Sequence, residues 1–280
     1  MTITEESVDV RPHRWRLLRA GQGPLALCLH GAGGSADSFR PLMEELSGSL
    51  TMVAPDLPGH GATRLGASDR SGLDHMAQDV SALMNALGSG PELTISHSAG
   101  AAIALAADAS LSPRGHIVIN AALNGFEGLA GWLFPALAKG LSATPFASEM
   151  LSRHLSQGKR LHALLKATGS EVTDDVMERY LSLVRNPEHV KGTLRMMASW
   201  NLQPLLSALP EIKTPVLLIA ARGDGTVPVS VTKQAEKTLL NARLEVHDGG
   251  HLLHEENPAL VAKSVTDFML ERGVMKSQSD

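Results

Sequence analysis

The chain of 280 residues is 43% hydrophobic and 19% charged with a formal net charge of −4, a balance that gives no electrostatic reason to expect nucleic acid as a partner. Its length allows one large domain, or a core with an inserted subdomain, around a sizeable apolar interior. No run reaches membrane-spanning length, residues 1–10 lack the basic start and apolar core of a secretion signal, and the single cysteine, Cys28, points to a reducing cytoplasm.

Along the chain, residues 15–20 read as an early strand and Gly21-Gln22-Gly23-Pro24 as the turn after it. The next run, Leu25-Ala26-Leu27-Cys28-Leu29, is apolar without alternation, the pattern of a strand covered on both faces in a parallel sheet. Within it Cys28 reads as a small buried hydrophobe. The run ends in His30-Gly31-Ala32-Gly33-Gly34. A glycine-rich loop here invites a phosphate-binding reading, yet no Gly-Lys-Ser/Thr follows and the spacing is not G-x-G-x-x-G. The loop suits an oxyanion site made of backbone N–H groups instead, with Ala32 as the first choice of donor and Gly33 as the second. A helix over 38–46, a strand over 51–54 and a tight loop from Pro55 to Gly61 follow, and Asp56 in that loop is read as tying down backbone N–H groups. From Leu73, the residues Met76, Ala77, Val80, Leu83, Met84 and Leu87 keep helical spacing until Gly88-Ser89-Gly90-Pro91 stops them.

The strand-like run from Leu93 ends at Ser98, and an alanine-rich helix is expected over 101–109. Strand, sharp turn and helix are the context of a nucleophile elbow, in which the residues two before and two after the serine must be small. Gly100 meets that need, whereas Ser96 stands where the G-x-S-x-G pattern has glycine. The N–H of Ala99 is the expected second oxyanion donor. A further strand over 116–120 extends an alternation of strands and helices that predicts an α/β fold: a doubly wound, mostly parallel sheet with ligands above the carboxyl ends of its strands.

The alternation stops after Ala121 and resumes only with a strand over 214–221. Roughly ninety residues intervene, far more than an ordinary connection. They carry helical faces, such as Val176, Met177, Tyr180, Leu181 and Val184, and are too apolar for a disordered linker. The expected organisation is an α/β core of residues 1–123 and 211–280 with an inserted helical cap over 124–210. Trp132, Phe134, Met196, Met197 and Trp200 are candidate lining residues of an apolar pocket above Ser98, with core packing as the plainer reading of each.

Asp224 follows the strand 214–221, and a strand over 243–246 leads to His247-Asp248-Gly249-Gly250-His251 before a helix opens at Asn257-Pro258. Serine, acid and histidine in that order is the chain order of an α/β-hydrolase triad. In it Ser98 is the nucleophile, His251 takes and returns a proton, and Asp224 fixes the imidazole. His247, His251 and His254 are loosely spaced like zinc ligands but do not share a helical face, so neither a metal nor a cofactor is expected. His30, His97 and His60 are read as bonding loop backbone.

With these residues in place the chain resembles the α/β-hydrolase fold superfamily and, within it, the magnesium-chelatase accessory proteins of bacteriochlorophyll biosynthesis. The narrower resemblance rests on Gly131-Trp132-Leu133-Phe134-Pro135, Ala167-Thr168-Gly169-Ser170, Met196-Met197-Ala198-Ser199-Trp200-Asn201-Leu202 and His97-Ser98-Ala99-Gly100-Ala101-Ala102-Ile103. It implies a link to magnesium insertion into protoporphyrin in photosynthetic cells, with magnesium-chelatase subunits and a small apolar substrate, a porphyrin among the options, as partners. The reaction is left open by it. One reading is ester or acyl hydrolysis at Ser98, within pigment synthesis or as a generic serine esterase outside it; the other is a non-catalytic porphyrin-binding accessory.

Overall fold

The structure, a computed structural model, describes residues 2–67, 70–123 and 146–274. Its centre is built from apolar runs that become strands: Leu25–Leu29 (β3), Thr51–Pro55 (β4), Leu93–His97 (β5), Gly115–Ile119 (β6) and Val216–Ala221 (β7). With Thr4–Val10 (β1), His13–Gly21 (β2) and Ala242–His247 (β8) they form one eight-stranded sheet in the order β1-β2-β4-β3-β5-β6-β7-β8. β2 runs antiparallel to β1 and β4, and the other pairs are parallel. The doubly wound, mostly parallel sheet is thus the one the sequence predicts. β1 is an addition, and the alternation Val8-Asp9-Val10 was its signal: the valines pack against the core while Asp9 is exposed.

Helices cover both faces, which is why the central strands do not alternate in polarity. Leu27, Leu29, Val53, Val118 and Leu218 face Leu73–Ala86 (α2) and Ala99–Ala106 (α3). Ala26, Cys28, Met52, Ile117 and Ile219 face Arg40–Leu46 (α1) and the C-terminal helix Pro258–Glu271. Cys28 is fully buried and burial raises its thiol pKa, so it is a packing residue.

Two expected helices differ at their starts. The one over 38–46 opens as a 3-10 turn, Ala36–Phe39, whose Asp37 N–H is capped by the Ser35 hydroxyl, before α1 proper. The one over 101–109 begins directly at Ala99, because the elbow supplies its first turn, and breaks at Ala107 before a short turn Asp108–Leu111 (α4). Between β6 and β7 lie Ala147–Leu155 (α5), Gly158–Ala167 (α6), Asp174–Val184 (α7), Pro187–Ala198 (α8) and Gln203–Ala208 (α9). Of the predicted face of α7, Met177, Tyr180, Leu181 and Val184 pack as one small cluster with Leu161 and Leu165 of α6, and Leu252, from the chain after β8, completes it. After β7 the chain adds Val229–Thr238 (α10), and after β8 Leu253–Glu256 (α11), which leads into Pro258–Glu271 (α12). Asn257 accepts from Leu260 N–H as the N-cap of α12.

Candidate active site

β5 leads into Ser98, whose backbone is forced to φ 52° and ψ −118°, a region that costs a non-glycine residue conformational energy. Its N–H donates to Ile119 O at 3.0 Å, which ties the turn to the end of β6. The tightness of the turn sets its neighbours: a Cβ at Gly100 would lie 2.2 Å from Leu29 O, so only glycine fits. At Ser96, where glycine was the expected residue, the buried hydroxyl donates to Ile117 O at 3.2 Å. A small polar side chain is accommodated there because β6 offers it a carbonyl.

The two partners arrive on the loops after β7 and β8. Asp224 Oδ1 accepts from Thr226 N–H at 2.7 Å and Val227 N–H at 2.8 Å, which leaves Oδ2 to accept from His251 Nδ1 at 2.7 Å. With Nδ1–H so committed, the lone pair of Nε2 faces the Ser98 hydroxyl at 3.1 Å. Ser98, Asp224 and His251 are each less than a tenth exposed. Water therefore competes little for these hydrogen bonds.

The His251 loop is held from three directions, and here sequence reading missed residues. Asn120, one position past β6 with φ 46°, donates through Nδ2 to Gly250 O at 3.0 Å and His251 O at 2.9 Å, while its Oδ1 accepts from Ala221 N–H at 2.8 Å. His97 Nε2–H donates to the same His251 carbonyl at 2.9 Å. From the insertion, Thr168 O accepts from His251 N–H at 3.2 Å. A polar residue closing the apolar run of β6 was the available sign of Asn120.

The glycine-rich loop runs against the serine: a Cβ on Gly31 would lie 2.9 Å from Ser98 Cβ. Gly31 O accepts from Gly34 N–H at 3.1 Å and from His30 Nδ1–H at 2.8 Å, and Gly33 takes φ +76° in the turn. Among the described residues the N–H groups of Ala32, Gly33 and Ala99 have no protein acceptor, and Ala99 opens α3. An unfilled N–H at a helix start favours negative charge. One residue from the stretch between β6 and β7 bonds this loop. His189 of α8 accepts from Gly61 N–H at Nδ1, 3.0 Å away, and donates from Nε2 to Gly33 O at 3.3 Å.

Burial holds His30 and His189 down to a pKa of about 4 and His254 to about 3. His60 and His97 are likewise held well below the usual histidine range by burial, then by neighbouring histidines. These rings are neutral at pH 7. His30, His60, His97 and His189 bond backbone, as in Leu57 N–H to His30 Nε2 at 2.9 Å, whereas among the described residues neither ring nitrogen of His254 has a hydrogen-bond partner. Asp56 also bonds loop backbone, accepting from Ala36 and Ala62 N–H at 2.7 and 2.8 Å. His247 lies at the surface end of β8 against Glu245, away from His254. No set of three or more His, Cys, Asp or Glu side chains among the described residues is grouped to hold a metal.

Of the pocket candidates, Met196 is fully buried in the main core cluster and Trp200 packs against that cluster, while Met197 joins Val190 and Leu194 beneath α5. Trp132 and Phe134 lie outside the described residues.

The model of the Alpha/beta hydrolase family matches residues 26–264. The chain is 44% identical over 248 residues, 88% of its length and 87% of the relative's, to the Magnesium-chelatase 30 kDa subunit of Rhodobacter capsulatus. It is 25% identical over 291 residues, 94% of both chains, to the 2-(acetamidomethylene)succinate hydrolase of Mesorhizobium japonicum. Among solved structures, an alpha/beta hydrolase fold protein from Burkholderia ambifaria superposes with a TM-score of 0.77 at 18% identity, covering 94% of this chain and 97% of that one.

Proposed function

The chain belongs to the alpha/beta hydrolase family, and on that premise we propose that it is a serine hydrolase of ester or acyl compounds working alongside magnesium chelatase in bacteriochlorophyll biosynthesis. The observation that carries the chemistry is the continuous hydrogen-bond chain Ser98 Oγ to His251 Nε2 at 3.1 Å and His251 Nδ1 to Asp224 Oδ2 at 2.7 Å. A serine hydroxyl is a weak nucleophile at neutral pH. As Ser98 Oγ attacks the acyl carbon, its proton passes to His251 Nε2, and Asp224 stabilises the imidazolium. The oxyanion is received by the N–H of Ala99 and by that of Ala32 or Gly33, which have no competing acceptor among the described residues. His251 returns the proton to the leaving group, and water, activated by the same imidazole, releases the acid from Ser98.

The setting is supported by the relative that bears the chelatase name and by the segments 167–170 and 196–202, which lie outside the loops that carry Ser98, Asp224 and His251. In this reading residues 124–210 cap the site, a small apolar molecule such as a porphyrin ester reaches Ser98 beneath them, and chelatase subunits are the protein partners. A cytoplasmic location fits the single, buried Cys28.

The test is Ser98→Ala. The wild-type protein is expected to hydrolyse a p-nitrophenyl ester and to be labelled by a serine-directed phosphonate, and the variant to lose labelling and roughly a thousand-fold or more of the rate. In cells lacking the native copy, the variant is expected not to restore magnesium-porphyrin formation. An inert wild type ends the hydrolase reading. A variant that restores pigment completely leaves the non-catalytic accessory role, and the porphyrin-binding reading with it.

A further inference from the structure

The segment Ala167-Thr168-Gly169-Ser170 has no part in the chemistry just described, yet it is wedged between the loops that carry the acid and the base. α6 ends there. Carbonyls at a helix C-terminus lack intrahelical partners, and the Thr168 carbonyl is shared between two loops, accepting Gly225 N–H at 2.9 Å and His251 N–H at 3.2 Å. Ser170, 4% exposed, accepts Leu252 N–H on its hydroxyl at 2.9 Å. The three backbones mesh through glycines. A Cβ would lie 1.7 Å from Gly223 O if placed on Gly169, 2.4 Å from Ala167 O on Gly225, and 2.4 Å from the Gly169 carbonyl carbon on Gly250. The residues flanking Asp224 and those flanking His251 thus touch the same turn, which itself takes φ +80° at Gly169.

We propose that the Thr168-Gly169-Ser170 turn of the insertion is a positioning element for Asp224 and His251, so that docking of the insertion sets the distance between acid and base. The proposal rests on the triad reading given above. It assigns Ser170 and Gly169 as positioning residues and makes assembly of the hydrogen-bond chain conditional on where the insertion sits. A misplacement of about 1 Å caused by a change remote from the chemistry can cost up to about a hundred-fold in rate.

The experiment compares Ser170→Ala, Ser170→Thr and Gly169→Ala with wild type by phosphonate labelling rate, kcat and KM for a p-nitrophenyl ester, melting temperature, and the far-downfield proton resonance of the His251–Asp224 hydrogen bond. Ser170→Ala is expected to slow labelling and kcat about ten-fold with KM little changed and to shift or broaden that resonance, while Ser170→Thr, which keeps the acceptor, restores both. Gly169→Ala, which forces a Cβ into a carbonyl, is expected to lose about a hundred-fold. If Ser170→Ala folds and keeps both the wild-type labelling rate and the wild-type resonance, the proposal is overturned. Should the wild type itself react with no phosphonate, the hydrolase reading fails, and the resonance alone still decides whether the turn positions the pair.

Discussion

At Ser98, three neighbours show how far a motif can be read and where packing takes over. The elbow was legible because a strained serine between strand and helix needs small flanks, and Gly100 is small because Leu29 O leaves no room for a Cβ. Ser96 departed from the pattern for a reason outside its own segment: Ile117 O on the adjacent strand accepts its hydroxyl. Asn120 is the reverse case. Nothing local marks it as more than the end of a strand, yet its one amide joins the strand that leads to Asp224 with the loop that carries His251. Asn120→Ala strands a buried N–H and removes the donor to two carbonyls, and each buried group left unpaired costs on the order of 1–3 kcal/mol. The expected result is a loss of roughly 2–3 kcal/mol in urea unfolding, together with slower phosphonate labelling. Wild-type stability in this variant counts against the role given to Asn120.

At the scale of elements, the insertion is fastened to the core at separate points. α8 reaches the glycine-rich loop through His189. α7 reaches α11, directly after the histidine loop, through Glu255, which accepts from Arg179 at 3.0 Å and from Tyr180 at 2.9 Å. Glu255 is almost wholly buried, and burial raises its pKa to about 7 against the opposing pull of Arg179. Removing one member of a buried pair leaves the other charge uncompensated. Arg179→Met is therefore expected to destabilise the fold by on the order of 3 kcal/mol near pH 8, where Glu255 is mostly ionised. Near pH 6, where it is mostly protonated, the loss should be smaller. Urea unfolding of variant and wild type at both values checks this, and an equal loss at the two shows that ionisation of Glu255 does not govern the contact. No local pattern hints at this latch. Helical spacing placed Tyr180 on the apolar face of α7, but its partner lies 75 residues away and only the fold brings it near.

For the whole molecule, the buried histidines set a pH dependence. His30, His60, His97, His189 and His254 all have folded pKa values below that of a histidine in the unfolded chain, about 6.5. Between that value and the depressed ones the unfolded state binds more protons, so stability is full above about pH 6.5 and falls as the pH drops toward 4. Each contributes a slope of up to about 1.4 kcal/mol per pH unit. Glu255 and Asp56, whose folded pKa values are raised, act in the opposite sense: their contribution is present at low pH and is lost as the pH rises through the folded value. Five groups against two predict a net loss of stability on acidification from pH 6.5 to 5, measurable as a falling urea midpoint. A flat or rising midpoint over that range contradicts the neutral, buried state of these rings. The sequence alone determined the sheet, because apolar runs of five or six residues between helical faces can be satisfied only by helices on both sides. It also determined the order of serine, acid and histidine on the loops at one sheet edge, since strand ends, glycines and turns are local features. The sequence also marked His97 as a backbone-bonding residue, but only the tertiary structure decided which other polar groups hold the loops of those three in place: Asn120, Thr168 and Ser170. Their hydrogen-bond partners are remote in the chain, and a buried donor or acceptor leaves no periodic trace in sequence, only the requirement that something in the folded protein satisfy it.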